Sequence, residues 1–250
     1  LSVVQAAGLG TANMAALTTA QLAAIEVADL ALVGTNSLRV LSSTQIASLT
    51  TLHVAALTTT QMIALGTAQI AALTTNQIVA LGTSQVATLR TANVSALTTE
   101  QLAALETADL AVLSSTNLQA LSAAQMAALT TDQIVALGTV QSASLGTANM
   151  AALTTDQLAA MEVADLAVVG TSSLRALSST QIAALTTLQA AALGTTQIVG
   201  LGTAQMAALT TDQLVALSTR QAAGLSAANM GALTTDQLAA MEVADLAVVG

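Results

Sequence analysis

Four stretches of this chain carry paired carboxylates, the side chains whose type and spacing best suit chemistry. Each stretch places a Glu three residues before an Asp, and two residues three apart lie on one side of a helix, so both carboxylates could share a hard cation such as Ca²⁺. A structural role is the favoured interpretation, because Glu at a helix start complements the helix dipole and Asp can replace Gln in a capping box. The pairs are Glu26 with Asp29, Glu106 with Asp109, Glu162 with Asp165, and Glu242 with Asp245.

The other reactive side chains are too few to assemble a catalytic centre. His53 is the one histidine; it replaces Gln in LTTLHVAA and has no acidic residue or Cys near it in sequence. Without Cys, Lys or a second His, the common nucleophile and metal-ligand sets cannot form, and no Ser has the partners of a triad. We therefore predict no catalytic, cofactor-binding or metal-binding residue, no cofactor, and no enzymatic activity, with His53 acting as a substitute for Gln.

The basic residues and the one glycosylation sequon are interpreted as structural. Arg39 and Arg175 occupy the same place in VGT[NS]SLR[VA], where a solvated rim charge is favoured over an ion pair with the preceding carboxylates. Arg90 and Arg220 lie in octads of other sequence. Asn93 opens an Asn-Val-Ser sequon but falls in the middle of a predicted helix, so the match is ascribed to chance. A net charge of −9 with four basic residues argues against nucleic acid.

All these residues sit in an octapeptide repeat that runs through the chain. Residues 1–248 divide into 31 octads without a shift in register, and residues 249–250 begin another. The consensus is L-[TGS]-T-x-Q-[LIM]-A-A, whose positions are numbered 1 to 8 below. The two-octad block that begins at Leu17 recurs from Leu97, Leu153 and Leu233, at offsets of ten, seven and ten octads. The difference of three octads favours three octads per structural turn.

The octad predicts one very short helix per repeat. A continuous helix would rotate its apolar stripe by about 80° per octad, and the apolar spacing does not fit a strand. Thr, Ser or Gly at position 2 is an N-cap, and Gln three residues later completes a capping box, as in Thr154 with Gln157. Helices of about six residues are unstable alone and must stack on neighbours. We predict an all-α fold: an α-solenoid with three octads per turn, in which residues 1–250 form one continuous domain and a fragment of a longer array.

Two further structural roles follow from the small residues. Ala at positions 7 and 8 would contribute to a shared Leu and Ala core and let neighbouring backbones approach. Gly at position 2 would ease the corners between helices.

The unit LTTDQLAA at residues 153–160 resembles the helix-opening Leu-Thr-x-x-Gln stretch of several α-solenoid repeats. Tandem arrays of this kind are similar to those of very large secreted or surface proteins of bacteria. The resemblance covers the whole chain, contains no family-specific motif, implies an extracellular or cell-surface structural role and carries over no active site.

Composition restricts the function further. Hydrophobic residues make up 54% of the chain and charged residues 7%, with no aromatic residue, Pro or Cys, so the chain folds on an aliphatic core. Every octad contains Thr, Ser, Gln or an acidic residue, which excludes the roughly 18 apolar residues in a row of a membrane span. We expect a rod on the order of 100 Å long, serving as a spacer or adhesin-like, self-assembling filament with cell-surface or matrix contacts. The alternative is a recognition surface of Thr arrays that binds ice, a glycan or a mineral.

Overall fold

The structure, a computed structural model, describes residues 3–241 and 243–248. The chain divides into two compact units, unit 1 (Leu1–Ala120) and unit 2 (Leu121–Gly250). Every octad forms one helix within the described residues, which confirms the all-α fold and the one-helix-per-repeat prediction. The prediction of a single continuous solenoid stays a prediction, and each unit is described by itself.

The helices of unit 1, α1 to α15 in chain order, are Val3–Ala7, Thr11–Ala16, Thr19–Ala23, Val27–Leu30, Thr35–Arg39, Ser43–Ser48, Thr51–Ala55, Thr59–Ala64, Thr67–Ala71, Thr75–Val79, Thr83–Val86, Thr91–Ser95, Thr99–Ala104, Thr107–Ala111 and Ser115–Gln119. Those of unit 2, α16 to α31, are Ala123–Ala127, Thr131–Val135, Thr139–Ser144, Thr147–Ala152, Thr155–Ala160, Val163–Val168, Thr171–Leu174, Ser179–Ala183, Thr187–Ala192, Thr195–Val199, Thr203–Ala208, Thr211–Val215, Thr219–Ala223, Ala227–Ala232, Thr235–Ala240 and Val243–Leu246.

A capping box starts most of these helices, as α20 illustrates. The Thr154 hydroxyl accepts a hydrogen bond from the Gln157 backbone N–H at 3.1 Å, and the Gln157 Oε1 accepts one from the Thr154 N–H at 2.7 Å. Upstream, Leu153 at position 1 ends α19 in an extended conformation (φ −60°, ψ 141°), and Thr154 is extended as well. Two extended residues per octad therefore turn the chain between helices.

Each helix packs against the helix three octads away. In unit 1, α2 contacts α5, α5 contacts α8, and α8 contacts α11; in unit 2, α18 contacts α21, α21 contacts α24, and α24 contacts α27. Three octads thus form one coil within each unit, which confirms the three-octad turn expected from the sequence. The α-solenoid assignment is confirmed by this regular arrangement.

The core is made by positions 1 and 6, and by the polar position 5. Leu153 at position 1 and Leu158 at position 6 are buried, and so is Gln157 between them. The Ala side chains at position 7, such as Ala159, are exposed, and those at position 8, such as Ala160, are half-buried. The predicted Leu and Ala core is therefore wrong for position 7, whose side chains point away from the neighbouring coil.

Glycine at position 2 does not serve the corners as expected. Gly138 is extended at φ −90° and ψ 164°, close to the angles of Thr154, and no residue in the described part of the chain has a positive φ. The corner therefore needs no glycine. Gly138 also leaves the N-cap of α18 without a side-chain hydrogen bond.

We expect Gly138→Ser to raise the free energy of unfolding by about 0.5 to 1 kcal/mol, from the added cap and the reduced freedom of the unfolded chain. A Cβ at Gly138 would meet nothing within 4 Å, so the serine fits without strain. Urea unfolding of the two proteins measures the difference, with Gly138→Ala separating the backbone effect from the cap. A serine variant less stable than the alanine variant would contradict the capping role.

Candidate functional site

The side chain at position 5 links each coil to the one before it. Gln157 reaches back with its Nε2 to the carbonyl oxygens of Met126, Ala127 and Leu129 at 3.1, 3.3 and 2.6 Å, while its Oε1 holds the Thr154 N–H. One amide thus caps its own helix and also donates to the backbone of the preceding coil. We call this arrangement the position-5 ladder.

The ladder repeats throughout both units with the same register. The donor is always the side-chain amide nitrogen, and the acceptors are the carbonyl oxygens at sequence separations of 28, 30 and 31. The glutamines that contact all three carbonyls in this way include Gln45, Gln61, Gln77, Gln181, Gln189 and Gln213.

Most other residues at position 5 keep the bond to the carbonyl at a separation of 28, which belongs to position 1 of an octad in the preceding coil. Asn93 does not: its Nδ2 is buried without a partner, and the Arg90 guanidinium donates to the Leu65 oxygen at 3.2 Å instead. The His53 Nε2 lies 2.7 Å from the Ile25 oxygen while its Nδ1 accepts from the Thr50 N–H, so the tautomer with hydrogen on Nε2 satisfies both. The prediction that His53 substitutes for Gln is confirmed. Ser and Asn do the same with shorter side chains: Ser37 and Ser173 donate to Leu9 and Leu145 at 2.7 and 2.9 Å, and Asn117 donates to Leu89 at 3.0 Å.

Aspartate is the residue type at position 5 that cannot make this bond as an ionised group. Asp109 and Asp165 stand at position 5 and are buried, with 2% and 1% of their surface exposed, and the Oδ2 of each has no hydrogen-bond partner. An ionised carboxylate has no hydrogen to donate, so it cannot replace the amide of Gln. In the ladder register, the position-1 carbonyls that these two aspartates would meet belong to Leu81 and Leu137.

The interpretation of these Asp residues as members of a capping box is wrong. In α14 and α21 no capping box is formed, and the N-cap residues, Glu106 and Glu162, make no side-chain cap bond. A Glu side chain is one carbon longer than Asp or Asn and two longer than Ser or Thr, the residues that cap well, and the carboxylates of Glu and Asp repel each other at this spacing. Glu106 and Glu162 are exposed and their Asp partners are buried, so the two carboxylates of a pair face different surroundings.

Burial is the main cause of the raised pKa of these aspartates. Desolvation raises the pKa of Asp109, and the nearby charge of Glu106 raises it further. Desolvation likewise raises the pKa of Asp165, followed by the charge of Glu162; the Ser142 hydroxyl lowers this pKa to a lesser extent, although its Oγ forms no hydrogen bond of good geometry. The exposed Glu100 behaves in the opposite way, because its own backbone N–H and then Thr98 and Thr99 lower its pKa by hydrogen bonding.

The remaining candidates take the places that a structural interpretation gives them. Arg39 and Arg175 are exposed, as expected of rim charges. Asn93 is buried in α12 and its Oδ1 accepts the Arg90 N–H at 3.1 Å, which removes the sequon from the surface. Among the described residues no group of three acidic, His or Cys side chains could hold a metal ion. Glu242 lies outside the described residues, so its pairing with Asp245 is not addressed.

Sequence comparison agrees with this coil-by-coil construction. A family model described as the ALTTAQ repeat matches residues 22–59, 54–91, 78–107, 102–139, 158–195, 191–219 and 211–243, which together span well over half of the chain. The chain belongs to the ALTTAQ repeat family. The string ALTTAQ itself occurs as Ala16–Gln21, where it holds the turn into α3, its N-cap and the glutamine of its capping box.

Two further results concern the relatives of this ALTTAQ repeat chain and the length of its helices. A search of curated proteins found no match. Among the described residues, no helix is both long and apolar enough to cross a membrane. The matched family confirms a tandem short-repeat array, and the ladder gives the physical reason why an octad can repeat.

Proposed function

We propose that this ALTTAQ repeat chain is a structural segment of a secreted or cell-surface protein, where it forms a rod, spacer or self-assembling filament and performs no catalysis. The position-5 ladder supports this role. Because each coil makes the same bonds to the coil before it, octads can be added to the array without any new chemistry. Function then resides in length and in the lateral surface, and the extracellular location follows the resemblance to bacterial surface arrays.

The observation that carries self-association is a row of exposed apolar side chains on three stacked helices of unit 2. Val140 on α18 is 77% exposed and Leu188 on α24 is 71% exposed, and Val163 and Val168 lie exposed on α21 between them. Neither α18 nor α24 contains a charged residue, while α21 has the exposed Glu162 as its N-cap, next to Val163. A second copy packing on this row, called the apolar row below, would remove it from water, and Glu162 is the exposed charge on these helices that would oppose it.

Sedimentation velocity tests the proposal with one matched pair of variants. We expect the unaltered chain to sediment as species larger than a monomer, increasingly so with concentration, and Leu188→Glu to shift it towards monomer. Leu52→Glu is the control, because Leu52 is 68% exposed at the same octad position but belongs to unit 1 and is not part of the apolar row. A stable monomer at high concentration in neutral buffer, or equal effects of the two variants, would refute self-association through this row.

A second candidate function is a recognition surface, and the exposed threonines of unit 2 favour it. Thr187, Thr211 and Thr235 occupy position 3 of α24, α27 and α30, which stack in sequence, and all three are exposed. Position-2 threonines beside them already accept helix-capping bonds, so the position-3 hydroxyls are the ones available to a ligand. Ice recrystallisation and glycan-array assays on the chain and on Thr211→Val separate this function from a purely structural one.

A further inference from the structure

The acidic octads depart from the pattern of the position-5 ladder in a way that their chemistry dictates. Gln, Ser, His and Asn117 at this position place a hydrogen donor against a backbone carbonyl of the preceding coil, as with Gln189 and Ser173. At Asn93 the donor of Arg90 takes that carbonyl instead. Asp109 and Asp165 occupy the same position, equally buried, with one oxygen each that has no partner. As ionised groups they would turn negative charge towards a carbonyl oxygen, which is itself negative.

The coil that faces each aspartate leaves it room and offers it no cation. Asp165 on α21 packs between α18 and α24, whose residues include no titratable side chain, and α11 facing Asp109 has none. The octad that contains Asp165 carries one other charged residue, Glu162. The nearest charged residues on the adjoining octads, Asp156 and Arg175, are exposed. Position 6 of the octad three before each acidic octad holds a smaller residue than the usual Leu, Ile or Met: Ala6, Val86, Ser142 and Ala222.

We propose that Asp109 and Asp165 are held as neutral carboxylic acids that donate their hydrogen to the preceding coil, which makes the acidic octads proton-dependent joints of the repeat array. By the ladder register the acceptors are the carbonyl oxygens of Leu81 and Leu137. A protonated carboxyl supplies the donor that the ladder needs and removes the buried charge at the same time. A divalent cation such as Ca²⁺ would instead need six to eight oxygen ligands, and no group of three acidic, His or Cys side chains in the described part of the chain could hold a metal ion.

The direction in which the pKa of each aspartate is shifted agrees with this assignment. Desolvation first, and the neighbouring Glu second, raise the pKa of both aspartates above their ordinary value. A raised pKa in the folded state means that the stabilisation is fully present below the unfolded pKa of about 3.9 and is lost as the pH rises through the folded pKa. The joints are therefore tightest in acid and loosen towards neutral and alkaline pH.

Thermal unfolding of Asp165→Asn tests the joint, because Asn has the shape of the protonated acid, keeps a donor and cannot ionise. At about pH 8 the variant is expected to unfold about 2 to 4 °C above the unaltered chain, and this gap should narrow as the pH falls and close near the unfolded pKa of about 3.9. Asp165→Gln, which restores the usual ladder residue, should behave in the same way. Hydrogen exchange at one fixed pH should place the added protection in α18 and α21.

Asp156→Asn is the matched control, since it removes the same charge from an exposed site one octad away. It should leave the pH dependence of unfolding unchanged. Difference infrared spectra between the unaltered chain and Asp165→Asn should show the carbonyl stretch of a protonated carboxyl near neutral pH. The proposal is overturned if Asp165→Asn and Asp156→Asn shift unfolding equally at every pH, if no protonated carboxyl is seen, or if CaCl₂ stabilises the unaltered chain but not Asp165→Asn, which would assign a cation to the joint.

Discussion

Gln157→Leu is expected to lower the free energy of unfolding by about 2 to 4 kcal/mol, a large effect for a single polar residue. The substitution keeps an apolar side chain of similar length in a buried position but removes the donors to three carbonyls of the preceding coil. It also removes the acceptor of the Thr154 N–H. The Leu129 carbonyl and the Thr154 N–H are then left without these partners, and burying unpaired polar groups is costly.

Gln157→Glu separates the two tasks of this side chain. Glutamate can complete the capping box as well as Gln does, but as a carboxylate it cannot donate to the preceding coil. We expect it to be destabilised at neutral pH and to recover part of the loss in acid, as the carboxyl regains a hydrogen. Urea unfolding followed by circular dichroism measures both variants, with the exposed Asn76→Leu as a control expected to lie within about 0.5 kcal/mol of the unaltered chain. Equal stability of the unaltered chain and the Gln157→Glu variant at neutral pH would mean that the inter-coil bonds contribute nothing.

The local architecture was predictable from the sequence because its signals are local. N-caps, capping boxes and the loss of an apolar stripe over each octad fix where each helix starts and why it must be short. The three-octad coil was also predictable, through the offsets of the duplicated block that begins at Leu17. These features need only residues that are close in sequence, or a comparison of the sequence with itself.

The position-5 ladder was missed because its partners lie on different coils, more than three octads apart in sequence and beyond any local rule. Gln was assigned only to its capping role, although the sequence contains a signal for the second role. Glu serves a capping box as well as Gln and suits the helix dipole better, yet no octad has Glu at position 5. Its absence from every octad indicates that the hydrogens of the amide are used. The same logic makes Asp109 and Asp165 conspicuous, since aspartate is the one residue type at this position that lacks a donor when ionised.

Position 2 and position 7 show the limit of composition as a guide. Gly is permissive and Ala is small, and both were given packing roles on that ground alone. The backbone at Gly138 is ordinary, and Ala159 faces solvent. Whether a small residue lies at a close contact depends on which side of a short helix the next coil covers, which the octad pattern does not specify.

Leu153→Ala is expected to cost about 2 to 5 kcal/mol, because Leu153 is 3% exposed and its side chain fills the core at the turn between α19 and α20. The loss is not offset by the helix propensity of alanine, since Leu153 is extended and lies outside both helices. Leu188→Ala removes the same atoms from an exposed site and should be nearly neutral, within about 0.5 kcal/mol.

Hydrogen exchange should localise the loss caused by Leu153→Ala to the coils that contact this turn, because a repeat array is stabilised largely by interactions between neighbours. Unfolding of a repeat array need not be a single transition, so exchange rates in α19 and α20 are more informative here than one midpoint. The same substitution at Leu185 and Leu209, also buried at position 1, should reproduce the effect in their own octads. Neutral results at all three leucines would mean that position 1 does not carry the core, and the packing of the coils described above would have to be wrong.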